Sequence, residues 1–370
     1  MHLYIHVPFC QRRCSYCDFS IAVRKRIPAR DYVNAILTEA AAFPTGDWDT
    51  IYLGGGTPSL LPREAIAALL YELTSQRRTP HAGREITVEA NPEDVTPSDA
   101  RAWVSAGVNR VSLGAQSFDD AVLKWMHRSH DAARIGAAVH ALRGAGIENI
   151  SLDLIFALPD ELERDWERDL DMALTLRPTH LSLYGLTVEP RTPLDRWISR
   201  GATQAPADER YAEEYLAAHS RLTAGGFSFY EVSNAARDGY RSRHNSAYWS
   251  GKPYVGLGPA AHSFDGRTRR WNLRAWEAYR RAIAEGRSAV ESEERLTEEQ
   301  SALERIYLGL RTVEGLPVAA ASSRRPSPPL HLAAQGWTIE ADGRLKCTPE
   351  GWLRLDSLVN ELTMHTESQR

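Results

Sequence analysis

The stretch Pro8-Phe9-Cys10-Gln11-Arg12-Arg13-Cys14-Ser15-Tyr16-Cys17-Asp18-Phe19 gathers three of the chain's four cysteines within eight positions, at the spacing C-x-x-x-C-x-x-C. Thiolates are soft ligands that suit zinc or iron–sulfur clusters. Three local thiolates can hold three irons of a four-iron cubane and leave the fourth open to a substrate. Structural zinc with His6 as a fourth ligand is the competing reading, but zinc sites usually present C-x-x-C pairs, often two of them far apart. The loop follows a β-rich run, Leu3 to Val7, and in strand–helix barrels active sites form where strands end. Cys347 stands alone downstream and reads as an ordinary cysteine. Clustered cysteines are not a disulfide framework, so a reducing, cytoplasmic setting is expected.

Outward from that loop, β-rich runs alternate with longer amphipathic ones. Strands are expected at Leu3 to Val7, Thr50 to Leu53, Glu85 to Glu89, Arg110 to Leu113, Ile150 to Ile155 and His180 to Tyr184. Helical patterns fall at Ala29 to Phe43, Arg63 to Gln76, Pro97 to Ala106, Ala132 to Ala145 and Glu163 to Leu176. Thr96-Pro97-Ser98-Asp99 is a start signal, and Gly107 and Gly144/Gly146 are stops. Such alternation builds βα units and a parallel sheet. The fold class is therefore α/β, with six units forming an incomplete parallel (β/α)6 barrel over residues 1–235. Residues 236–295, rich at first in Gly, Ser, aromatic and Arg residues, read as a connecting region of strands and loops with a helix at Arg274 to Glu285. Residues 296–370 read as a small winged-helix-like domain. It comprises a helix from Thr297 to Leu310, a Pro/Ser-rich break at Ser322 to Pro329 and a helical segment near Leu330 to Gln335. A hairpin at Trp337 to Lys346 turns at Asp342-Gly343, and a last helix opens at Thr348-Pro349-Glu350.

The chain has 370 residues, 43% hydrophobic and 25% charged, a net charge of −4 and a pI near 6.3. No overall positive field calls for a nucleic-acid partner. The basic runs Arg24-Lys25-Arg26, Arg267 to Arg270 and Arg324-Arg325 read as solvated surface. No stretch approaches the ~20 apolar residues of a membrane span, and the first residues lack the features of a signal peptide.

Further strand ends carry chemistry in register with the cysteine loop. Gly54-Gly55-Gly56-Thr57-Pro58 follows the second strand; glycines allow close backbone approach. Glu89-Ala90-Asn91-Pro92 follows the third, Gly114-Ala115-Gln116-Ser117 the fourth, and Asp153 lies within the fifth. Buried acids without a ligand would be costly. Taken singly, each reads equally well as a capping or salt-bridged residue.

Together with Tyr4-Ile5-His6-Val7-Pro8-Phe9-Cys10 and Asp153-Leu154-Ile155-Phe156-Ala157-Leu158-Pro159, these motifs resemble the radical-SAM family of anaerobic coproporphyrinogen III dehydrogenase and its relatives, over almost the whole chain. In that class the open iron takes the amino and carboxylate groups of S-adenosylmethionine (SAM), and an electron from the cluster releases a 5′-deoxyadenosyl radical. The resemblance implies SAM contacts at Tyr4, Tyr16, Gly55, Gly56, Thr57, Glu89, Gln116, Arg128 and Asp153, with weaker claims for Tyr184 and Thr187. Glu89 or Asp153 would accept from ribose hydroxyls, and Gln116 and Arg128 would meet the carboxylate. No catalytic residue is assigned.

Within the family the chain is most similar to the HemW-type haem-chaperone branch. The dehydrogenases carry a further cysteine two residues beyond the third, where this chain has Phe19. The chain begins almost at the first strand, without the extension that dehydrogenases place around their substrate. His244-Asn245-Ser246-Ala247-Tyr248-Trp249 matches the H-N-x-x-Y-W signature of the chaperones. That likeness implies haem as cargo, with His244 as axial ligand, Tyr248 and Trp249 stacked on the porphyrin and Arg241 or Arg243 on its propionates. Taken alone, His244 reads more readily as a hydrogen-bonded core histidine. No C-x-x-C-H motif is present, so attachment through two thioethers is not expected.

The implied function is binding of haem and its transfer to acceptor proteins, respiratory enzymes among them. The implied cofactors are a [4Fe–4S] cluster and SAM, with an electron donor for the cluster and peripheral membrane contact at delivery. The alternative is anaerobic oxidative decarboxylation of coproporphyrinogen III to protoporphyrinogen IX, so whether the chain is itself an enzyme stays open. Radical modification of RNA or protein is a third class, supported only by the winged-helix-like tail and opposed by the acidic charge.

Overall fold

The structure, a computed structural model, describes residues 1–43, 47–75, 83–321 and 330–363. Six strands form its centre: His2–Val7 (β1), Thr50–Gly55 (β2), Glu85–Ala90 (β3), Arg110–Gln116 (β4), Asn149–Phe156 (β5) and His180–Gly185 (β6). They pair in chain order and every pair is parallel. Helices Ala29–Ala40 (α1), Arg63–Ser75 (α2), Pro97–Ser105 (α3), Asp120–Trp125 (α4), Ala132–Gly144 (α5) and Trp166–Thr175 (α6) fill the crossovers. Capping side chains set four of their starts: Thr96, Asp119, Asp131 and Asp165 accept from the N–H groups of Asp99, Ala121, Arg134 and Arg168. Helices Pro193–Ser199 (α7) and Asp208–Ala224 (α8) follow.

The strands alternate in chemistry along most of their length. Leu3, Ile5 and Val7 of β1, Val88 of β3 and Leu152 and Leu154 of β5 are fully buried in one core with the helices. Apart from Gly54, Gly114 and Ile155, the intervening positions are polar and turn to the concave side. There Tyr52 donates to Glu89 (2.8 Å), Ser112 to Asp153 (3.0 Å), and Ser151 pairs with His180 (2.8 Å). Period-two alternation with two buried faces, one apolar and one hydrogen-bonded, is how a strand lines a barrel.

The barrel is open, as expected. β1 and β6 do not meet; each has another strand at its outer edge. Beyond β6 lie Asn234–Ala236 (β8) and Ser228–Glu231 (β7), antiparallel. Beyond β1 lies Tyr254–Leu257 (β9), parallel to it, then the antiparallel strands His262–Phe264 (β10), Thr268–Asn272 (β11) and Val290–Arg295 (β12). The stretch 236–295, set apart in the sequence as a connecting region, thus contributes the four strands beyond β1 to one twelve-stranded sheet. It also holds a helix absent from the sequence expectation, Arg243–Trp249 (α9), capped by Ser242. Seven residues are too few to show a helical period. Helix Trp276–Ala284 (α10) completes this part.

One buried carboxylate docks this extension. Glu39 on α1 accepts from Gly258 N–H (2.8 Å), Asn272 Nδ2 (2.5 Å) and Tyr279 OH (2.7 Å). Gly258 has φ +99°, and an added Cβ would meet the His6 carbonyl oxygen at 2.6 Å, so the chain after β9 needs glycine there.

The C-terminal unit begins with a capping box, Thr297 and Gln300, on helix Glu298–Arg311 (α11). Strands Leu316–Pro317 (β13), Thr338–Ala341 (β14) and Arg344–Cys347 (β15) form a small antiparallel sheet in the order β13-β15-β14. The hairpin turns at Asp342 and Gly343, both at positive φ. The last helix divides in two, Pro349–Trp352 and Leu355–Thr363. Ser322 to Pro329 lies outside the described residues. Among the described residues no helix is long and apolar enough to cross a membrane. The run at Arg267 to Arg270 is no free basic patch: Arg269 pairs with Glu304, and Arg270 with Asp265 and Glu293.

Glu39→Ala leaves three donors without their acceptor, each worth about 1–3 kcal/mol when buried. A loss of roughly 3 kcal/mol is expected, read as a lower urea midpoint; an unchanged midpoint would remove Glu39 as the dock.

Candidate cofactor site at the strand ends

The C-terminal ends of the six strands open into a cavity of about 350 Å³. Its lining brings together most of the residues singled out in the sequence. Cys10, Cys14, Cys17, Tyr16, Gly55, Gly56, Thr57, Glu89, Gln116, Arg128, Asp153, Tyr184 and Thr187 all border it. Tyr4 does not. Its hydroxyl bonds His6 Nδ1 (3.0 Å), and it borders a second cavity on the far side of that pair.

Among the described residues no three His, Cys, Asp or Glu side chains close round a single-ion position. The three thiols border the strand-end cavity instead, which suits a ligand wider than one ion. Cys10 Sγ hydrogen-bonds Thr57 Oγ1 (3.2 Å), and Arg128 Nη1 reaches Cys14 Sγ (3.6 Å). Burial pushes the Cys10 thiol up, partly offset by Thr57, and pushes Cys17 up to about 11, partly offset by the Phe19 N–H. The loop rests on the barrel through Ser15, whose N–H donates to Met126 O (3.2 Å) and whose carbonyl accepts from Leu194 N–H (2.9 Å). Phe19 is 60% exposed at the rim.

The glycine triplet serves packing first. A Cβ on Gly56 would meet Phe9 O at 2.8 Å and Val7 O at 2.9 Å, and one on Gly55, at φ +110°, would meet the His6 ring at 2.6 Å. These glycines let β2 press against the root of the cysteine loop. Gly55 N–H also donates to Glu89 Oε2 (3.0 Å).

Glu89, Asp94 and Asp153 share the cavity wall. Burial raises Glu89 to about 7 against the opposing Tyr52 hydrogen bond, and Asp94 to about 6. It raises Asp153 as well, although Ser182 and Ser112 bond it. Against these acids stands Arg128. It donates to Asn91 Oδ1 (2.6 Å) and Gly114 O (2.9 Å), while its buried Nε has no partner among the described residues. A donor held unsatisfied beside buried carboxylates fits a ligand with both an anionic group and hydroxyl or cationic groups.

Gln116 reaches the cavity through backbone strain. It has φ +67°, and the pairing of β4 with β5 slips between Leu113 and Gln116. Such a bulge re-aims a side chain. Asp169 holds the segment beyond it, accepting from Ser117 Oγ (2.7 Å) and Phe118 N–H (2.7 Å). Asn91 and Ser112, not assigned as contacts from the sequence, also line the cavity. Asn91 lies in a quoted motif, but only its bond to Arg128 gives it a task; Ser112 is revealed by facing Asp153 across the sheet.

The H-N-x-x-Y-W segment lies elsewhere. Glu85, at the start of β3, caps α9 by accepting from the N–H groups of Arg243 and His244 (3.0 Å each). His244 is therefore at the N-terminal end of the lumen and 1% exposed. Its Nδ1 bonds Thr50 Oγ1 (2.7 Å) and its Nε2 bonds Tyr248 OH (2.8 Å). Burial, then the charges of His2 and Arg110, lower it to about 3. With both ring nitrogens engaged, the imidazole expected as axial ligand offers iron no free lone pair here. Tyr248 and Trp249 border the second cavity. Arg241 pairs with Glu314, and Arg243 bonds the Gly83 carbonyl.

The profile of the Radical SAM superfamily matches residues 4–173, and that of the HemN C-terminal domain matches residues 296–354. With the open six-strand barrel and the cysteine loop at its C-terminal rim, the chain is a radical-SAM protein. It is 36% identical over 368 residues to the heme chaperone HemW of Mycobacterium tuberculosis, covering 97% of this chain and 94% of the relative. To that of Bacillus subtilis it is 36% identical over 317 residues, covering 85% and 84%. The chain belongs to the HemW family. Coproporphyrinogen III oxidase (HemN) from Escherichia coli shares the fold, with a TM-score of 0.81 at 22% identity over 98% of this chain and 89% of that one.

The raised pKa of Glu89 sets the sign of a stability effect. The unfolded carboxyl loses its proton near its ordinary value of 4.5 and the folded one near 7, so between those values the unfolded state binds fewer protons and stability falls as pH rises. Glu89→Gln removes that slope. From pH 5 to pH 8 the variant should gain on wild type by up to about 3 kcal/mol. Parallel melting curves at both pH values check it; a constant difference would mean Glu89 ionises normally.

Proposed function

We propose that this chain is a haem chaperone of the cytoplasm that binds haem and passes it to acceptor proteins, using a [4Fe–4S] cluster with SAM on its open iron. The observation that carries the reading is likeness over nearly the full length to relatives named heme chaperones. Phe19 supports it, standing where the related dehydrogenases carry a further cysteine.

In this reading Cys10, Cys14 and Cys17 hold three irons. SAM on the fourth would supply, with the cluster, reductive cleavage at its sulfonium. The protein's own part is positioning. Arg128 and Gln116 orient the SAM carboxylate, with the free Arg128 Nε–H as the waiting donor. Glu89 and Asp153 would accept from the ribose hydroxyls, and their charge would offset that of the sulfonium. Tyr16, Gly55, Gly56 and Thr57 shape the wall by the cluster, and Ile155 and Leu186 give an apolar surface for adenine. An electron donor and haem-accepting proteins, respiratory enzymes among them, complete the system, with peripheral membrane contact at delivery.

Cys14→Ala should lose the broad visible absorbance of the reconstituted cluster together with its iron; retention of both would move the ligand set. Hydroxyl donors bind the ionised Glu89, so SAM affinity should rise from about pH 6 to pH 8 in wild type and stay flat in Glu89→Gln. Titration calorimetry reads both.

For the chaperone role itself, haem titrated anaerobically into cluster-loaded protein should give a saturable, near-stoichiometric spectrum. Absence of saturation, or a vinyl-bearing porphyrin formed from coproporphyrinogen III under reducing conditions, would overturn it.

A further inference from the structure

The concave face of the sheet does not stop at β1. Tyr254 pairs with His2 and Gly256 with Tyr4, so β9 carries that face outward. There, between β9–β10 and the helices α9 and α11, lies a second cavity of about 390 Å³. Tyr248, Trp249, Tyr254 and Phe264 give it aromatic walls. Tyr248 and Tyr254 meet edge to face at 4.6 Å, and Tyr254 and Phe264 are tilted at 6.3 Å. Gly251, Lys252 and His262 line it and are exposed.

Three histidines stand near this region and they differ in availability. His244 is bonded at both ring nitrogens. So is His6, to Tyr4 OH at 3.0 Å and to Ser20 O at 3.1 Å. The His262 ring is exposed and stacks on Trp271 with centroids 5.8 Å apart; neither ring nitrogen has a hydrogen-bond partner among the described residues. Partial burial and the charges of Arg269 and Arg274 lower its proton affinity, which leaves a neutral imidazole at neutral pH. A second group is also unsatisfied. The indole N–H of Trp249 is buried without an acceptor among the described residues, while Arg311 covers that ring at 4.1 Å.

We infer that this second cavity is the haem site, with the His262 imidazole as axial ligand to the iron, the aromatic walls against the macrocycle, and Lys252 and the Trp249 N–H facing its carboxylates. This assignment rests on the haem-binding reading above and changes where the haem is held. A neutral imidazole with a free nitrogen is what haem iron takes, and a buried unpaired donor is costly until an acceptor arrives. Arg269 is occupied by Glu304, which leaves Lys252 as the cation for a propionate. The exposed lining residues leave one edge of the ligand in water, where an acceptor can reach it. The wall toward the cluster cavity is thin. It is the Tyr4–His6 pair, whose imidazole lies against Gly55, a lining residue of that cavity.

The test is anaerobic haem titration of the full cluster-loaded chain as wild type, His262→Ala and His244→Ala, with cluster absorbance as the check on folding. His262 is exposed, so its variant should keep the cluster. Wild type should bind saturably, and His262→Ala should lose the histidine-ligated spectrum and bind at least about tenfold more weakly, with added imidazole restoring the spectrum. His244→Ala, where it folds, should keep the wild-type spectrum. If His262→Ala binds with an unchanged spectrum, this assignment falls while the chaperone reading stands. If wild type does not bind saturably, the chaperone reading falls and this assignment with it.

Discussion

Everything in this molecule depends on the inward face of a parallel sheet being polar. Burying histidines, carboxylates and an arginine inside a barrel is unfavourable unless each finds a partner. The partners come from neighbouring strands: Thr50 between His2 and His244, Tyr52 on Glu89, Ser112 and Ser182 on Asp153. Hydrogen bonds across strands therefore fix the register, because a slip by one residue would turn the apolar set inward and the polar set into the helices. The cofactor cavity is the upper end of this polar interior, where partners run short and a ligand can supply them.

The same constraint explains the division of labour among the histidines. Those at the lower end and on the partition are consumed by the protein's own hydrogen bonding. His180, for example, bonds Ser151 and Tyr230 (2.8 Å each). Beyond β1, where the face widens under α9 and α11, the His262 imidazole has no hydrogen-bond partner among the described residues. Position in the sheet, rather than residue type, separates a structural histidine from one open to a ligand.

Much of this was legible in the sequence, for physical reasons. The six central strands announce themselves by apolar and β-branched runs, and their ends by glycines and isolated acids. Cys10, Cys14 and Cys17 and the residues Thr57, Glu89, Arg128 and Asp153 meet at one cavity because strand order follows chain order. Non-local pairing stayed hidden. Nothing local in Tyr254–Leu257 says that it lies parallel to β1, and nothing in the Ser242-capped helix says that Glu85 caps it too. His244 could be matched to a motif, but its two hydrogen bonds come from Thr50, far away in sequence, and Tyr248, one helical turn on.

The pairing of β1 with β9 has a consequence for how the chain is made. Roughly 250 residues separate the two strands, so at about 5–20 residues per second the ribosome needs tens of seconds to supply β1's second neighbour. During that interval the strand that leads into the cysteine loop keeps one bare edge, and the Gly258 backbone that packs on His6 does not yet exist. The thiols are made well before β9, yet β9 is part of the scaffold that seats them and one of the later strands of the sheet to form.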